Sequence, residues 1–124
     1  MIIRQQQMDV FREQVLRSYE TRMLAHVREL FPETVDEFGE EETCAIIRDG
    51  VATAAAYGIE NEQDTGQFLV LMFLHSFEFD RDGALPGAYQ ILTRPGLRPD
   101  QRLELLWRRT DQYLASGAGV PSHA

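Results

Sequence analysis

Phe68-Leu69-Val70-Leu71-Met72-Phe73-Leu74 is an unbroken run of seven apolar residues, and Phe77 and Phe79 carry its apolar character past His75 and Ser76. A helix on a protein surface alternates an apolar stripe with a polar face, so a run apolar on every side marks a helix enclosed by others. A buried strand is the competing reading of such a run. The residues ahead of it decide: Asn61 can cap a helix, Glu62 and Asp64 fall in the first turn, and Asp64 stands three residues after the cap. The reading is a central helix over residues 62–78, with the rest of the chain folded around it.

The flanking segments follow helical rules. Met8, Phe11, Val15, Tyr19, Met23, Val27 and Leu30 recur at spacings of three and four, which predicts a first helix over about residues 5–30. Leu16 and Leu24 sit beside that stripe, so two neighbours are expected. A coiled-coil arm would show the same spacing, but the pattern stops after Leu30 and packing within the domain is the preferred reading. Pro32 ends this helix. One turn is expected over residues 33–38. After Gly39, Glu40, Glu41 and Glu42 open a second helix, their carboxylates facing its positive end, and Gly58 closes it. Gly50, Ala52, Ala54, Ala55 and Ala56 on this helix would admit a neighbour at close range, and the central helix is the expected visitor. Pro86 opens a short helix to about Thr93, and Pro99 a last helix over about residues 99–115. The fold class is therefore all-α: a compact single-domain bundle of four to five helices over residues 1–115, followed by a flexible tail at 116–124.

Composition narrows the function classes. The 124 residues suit one domain, with 44% hydrophobic and 26% charged residues. No apolar run reaches the roughly 18–20 residues of a membrane span, and no secretory signal is visible at the start, so the cytoplasm is the expected compartment. The net charge of −8 is unevenly spread. Residues 29–64 hold eleven carboxylates against Arg48 alone, whereas residues 94–109 hold five arginines against Asp100 and Glu104. Binding to a polyanionic backbone needs a cationic face, so nucleic acid is not an expected partner. A DNA-reading helix pair in residues 86–115, using Arg94, Arg98, Arg102, Arg108 and Arg109, is the reading that this charge opposes.

Sites for chemistry are sparse. His26 and His75 fall inside predicted helices without partners at ligand spacing, and His123 lies in the tail, so no metal or other cofactor is expected. Asp80-Arg81-Asp82-Gly83 begins like a calcium loop, but its glycine comes too early and Ile91 stands where the closing glutamate belongs. It reads as a turn. Glu40, Glu41 and Glu42 point in different directions around a helix and cannot converge on one atom. Cys44, the single cysteine, lies on an apolar stripe with no basic residue beside it to activate it. Ser18, Ser76, Ser116 and Ser122 lie in no nucleophile-elbow pattern. No catalytic residue is expected.

Three segments taken together carry a family likeness. They are Ile47-Arg48-Asp49-Gly50-Val51 with Ala55-Ala56-Tyr57-Gly58-Ile59; Glu62-Gln63-Asp64 with Phe68 to Phe73; and Phe79-Asp80 with Leu85-Pro86 and Ile91-Leu92. The pattern resembles small all-helical proteins of proteobacteria and their relatives whose genes lie beside type VI secretion components or the effectors those systems deliver. In that group a tryptophan follows the proline, where this chain has Gly87. The resemblance implies a noncatalytic protein that acts by binding: an effector chaperone, an adaptor or an immunity protein. Its partner would be another protein, such as a basic effector or secretion component, met by a monomer or homodimer. The acidic residues Glu33, Asp36, Glu37, Glu40, Glu41 and Glu42 form the expected partner-binding face, since complementary charge speeds association and sets specificity. The alternative is a small helical enzyme or ligand-binding protein in which His75, His26 or Tyr57 lines an internal pocket.

Overall fold

A computed structural model describes residues 5–117; His123, Ser122 and the expected flexible tail from residue 118 onward lie outside the described residues. The described residues are all-α. Six helices occur in the order α1 (Gln5–Leu30), α2 (Pro32–Ala56), α3 (Glu62–Leu74), α4 (Phe79–Asp82), α5 (Ala88–Thr93) and α6 (Pro99–Ala115). The chain divides into two compact units, Met1–Asp49 and Gly50–Ala124, and the division falls inside α2.

The first unit is a helical hairpin. α1 and α6 have the bounds that periodicity and prolines predict. The expected single turn after Pro32 is longer, because residues 33–38 are helical throughout and only Gly39 leaves helical geometry. Gly39 adopts φ 82 and ψ 165, a region closed to residues with a Cβ, and so inserts a kink between two helical segments. The hydroxyl of Thr43 donates to the freed Gly39 carbonyl at 2.7 Å. Two ion pairs set the register: Arg48 on Glu20, through Nε at 2.9 Å and Nη2 at 3.2 Å, and Arg28 on Glu40 at 3.4 Å. Eight residues forward on α1 match eight residues backward on α2, so the helices run antiparallel. Tyr19, Met23, Val27, Val35 and Ile47 are buried. The α1 stripe is therefore buried only from Tyr19 to Val27, and Leu30 at its end is exposed.

The second unit is built on α3. Asn61 caps it as expected: its Oδ1 accepts the Asp64 N–H at 2.8 Å, and its amide donates to the Asp64 carboxylate. Phe68, Leu69, Leu71 and Met72 are buried, while Val70 and Phe73 are half-buried and Leu74 is exposed. The helix stops at Leu74, four residues before the expected end. Ser76 explains the stop: its hydroxyl accepts the Glu78 N–H and donates to Asp82, which starts α4 instead of continuing α3. An aromatic chain then crosses the unit from Tyr57 to Phe68, Phe79, His75 and Tyr113, with successive ring centroids 6.4, 5.1, 6.2 and 6.3 Å apart. Arg102 on α6 donates to the carbonyls of Tyr57 and Arg94, which ties the ends of α2 and α5 to the last helix.

Candidate functional site

The carboxylates singled out in the sequence all lie on α2 in the first unit, and all six are exposed. Glu33, Asp36 and Glu37 stand at spacings of three and four, which puts them on one face of the segment before the kink. Glu40, Glu41 and Glu42 fan out around the first turn after Gly39. Of the six, Glu40 alone forms an ion pair among the described residues, with the half-exposed Arg28. The other five have no ion-pair partner among the described residues.

An apolar feature whose helical spacing predicts packing within the domain lies on the same unit. Met8, Phe11 and Val15 recur on one face of α1 and are 39%, 66% and 44% exposed. The same periodic signal therefore has two outcomes along one helix: burial from Tyr19 to Val27, exposure from Met8 to Val15.

The candidates for chemistry take structural places. His75 is half-buried, and its Nε2 lies 3.0 Å from the Thr110 hydroxyl; burial lowers its pKa below 6.5. His26 is exposed on α1. The Tyr57 hydroxyl donates to buried Asp80 at 2.7 Å, and burial first, then this bond, raises the phenol's pKa. Asp80 also receives Arg81 at 3.5 Å. Asp82 accepts the Ala84 N–H, and Gly83 takes the left-handed conformation, so the turn expected over Asp80–Gly83 is instead the short helix α4 closed by Gly83. The Cys44 thiol is pushed up by burial and then by Glu20, against a smaller opposing effect of Arg48. Among the described residues no three His, Cys, Asp or Glu side chains gather as a metal site requires.

Of the five arginines, three are committed to local partners: Arg98 to Asp100, Arg102 to two backbone carbonyls, Arg108 to Glu104. Arg109 bonds the carbonyl of Pro86 through Nε at 2.8 Å, its one partner among the described residues. Sequence reading had grouped these residues by proximity along the chain, which says nothing about their partners.

No known family matches this chain, and neither a curated protein nor a solved structure does. The geometry of the two units therefore carries the functional reading. No helix among the described residues is long and apolar enough to cross a membrane.

Proposed function

We propose that this chain acts by binding another protein through its first unit and performs no chemistry of its own. In this reading it serves a bacterial secretion system from the cytoplasm, as an effector chaperone, an adaptor or an immunity protein. The observation that carries the binding role is the exposed stripe of Met8, Phe11 and Val15. Large apolar side chains aligned on one helix face are a characteristic of interaction surfaces. The unpaired carboxylates of Glu33, Asp36, Glu37, Glu41 and Glu42 on the same unit favour a partner with basic residues at the rim of its contact. The secretion context rests on the likeness of the three sequence segments alone.

The experiment is a tagged capture from native cells, run on the natural chain, on Phe11→Asp and on the combined reversal of Glu40, Glu41 and Glu42 to lysine. The expected result is stoichiometric recovery of a secretion component or effector. Phe11→Asp should abolish it, and the charge reversal should weaken it most at low salt. Recovery of this chain alone, from cells expressing those neighbours, would overturn the proposal. Equal recovery with Phe11→Asp would remove the α1 stripe from it.

A further inference from the structure

The face of α6 turned toward α5 borders an open groove of about 550 Å³, and no carboxylate lines it. Arg94, Arg108 and Arg109 supply its charge, Gln90 and Gln112 its neutral polar groups, and Ile91 and Leu105 its apolar surface. On the other side of the same helix a groove of about 710 Å³ is mainly acidic, with Asp64, Asp100, Glu104 and Asp111 around Trp107, and Arg108 lines both grooves. α6 thus carries a largely acidic and a basic surface within a chain of net charge −8.

The arginines differ in how far their charge is already used. Arg108 shares Glu104 at 3.1 Å across an exposed pair, which leaves much of its attraction for other anions. Arg109 is held by the Pro86 carbonyl, a neutral acceptor, so its position is fixed without its charge being cancelled. Gly87 leaves room for this guanidinium: a Cβ there would stand 2.9 Å from Nη2 of Arg109. Arg94 has no ion-pair partner among the described residues. Planar guanidiniums match carboxylates two bonds at a time. The primary amides of Gln90 and Gln112 carry both donor and acceptor, as a peptide backbone requires. An open trough with an apolar floor suits an extended chain better than an enclosed small molecule.

We infer that the groove between α5 and α6 binds an acidic peptide segment of a partner protein, with carboxylates on Arg94 and Arg109 and an aliphatic side chain over Ile91 and Leu105. This surface belongs to the second unit and stands independently of the α1 stripe.

The test is fluorescence anisotropy of a labelled hexapeptide alternating Glu and Leu, titrated with the full chain at low and high salt. Saturable binding that weakens with salt is expected. Arg94→Gln and Arg109→Gln should each reduce affinity roughly tenfold, the scale of one charge-assisted contact. Arg98→Gln, outside the groove and paired with Asp100, should leave it unchanged, as should Phe11→Asp. Far-ultraviolet circular dichroism checks that each variant is folded, and Arg94→Gln disturbs no internal bond of its side chain. Absence of saturable binding, or equal affinity in Arg94→Gln and Arg109→Gln, overturns the inference. Displacement of the peptide by equimolar inorganic phosphate would overturn the peptide assignment in favour of a small anion.

Discussion

Gly50 of α2 lies against Met72 of α3 so closely that a Cβ on the glycine would stand 2.6 Å from the methionine sulfur. Leu69 closes the same approach, and both side chains are buried. Gly50→Ala therefore sets two effects against each other. Helix propensity favours alanine by about 1 kcal/mol. Overpacking a filled core costs about 1–3 kcal/mol. The expected outcome in urea denaturation is a net loss of about 0–2 kcal/mol, and a larger loss for Gly50→Val. A Gly50→Ala variant more stable than the natural chain would show that Met72 swings aside freely and that the glycine is not needed for the helix contact.

The His75–Thr110 pair predicts a pH dependence. Burial lowers the folded-state pKa of His75, so the unfolded chain takes up a proton at higher pH than the folded one. Stability from this group is complete above about pH 6.5 and is lost as pH falls from there through the lowered folded value. Melting temperature should drop more between pH 7.5 and 5 in the natural chain than in His75→Gln. Parallel pH profiles for the two would contradict the assignment. Thr110→Val, which removes the hydroxyl facing Nε2, should cost about 1 kcal/mol at neutral pH.

Asp80 is almost fully buried and takes its short bond from Tyr57. Tyr57→Phe removes that donor while keeping the ring against Phe68. The expected loss is about 1–2 kcal/mol in chemical denaturation, from a buried carboxylate left with the exposed Arg81 alone. Arg81→Ala should cost less than Tyr57→Phe, because its contact is longer and screened by solvent. The reverse order would show that the ion pair, not the phenol, holds Asp80.

Along α1 a single stripe should give two kinds of mutant. Met23→Ala, at a buried position, is expected to lose about 2–5 kcal/mol. Phe11→Ser, at a largely exposed one, should stay within about 0.5 kcal/mol of the natural chain. Thermal melts of the two variants decide it: a comparable drop for Phe11→Ser would mean that Phe11 is covered in solution.

Much of the architecture was legible in residue order because its signals act over one or two turns. Period and proline placed α1 and α6, Asn61 and Asp64 placed the start of α3, and the small residues near Gly50 announced a close helix contact. The end of α3 was misplaced by four residues because apolar character continues through Phe77, while the competing signal is a single Ser76 hydroxyl that captures the next turn. The six acidic residues of α2 are exposed, and that Glu40 alone of them finds a cation among the described residues could be seen only after folding.

Sequence by itself determined that the described chain is all helical and where most helices begin and stop, since capping, periodicity and backbone restriction are local. Tertiary structure decided which apolar face is covered, which charge is answered and which polar groups meet. His75 finds Thr110 across 35 residues, and Arg109 finds the Pro86 carbonyl across 23. A period of 3.6 residues identifies a face of a helix; it carries no information on whether another segment lies against that face. That is why Met8, Phe11 and Val15 read as core and are exposed, and why five arginines that read as one cluster take different partners, from the carboxylates of Asp100 and Glu104 to backbone carbonyls.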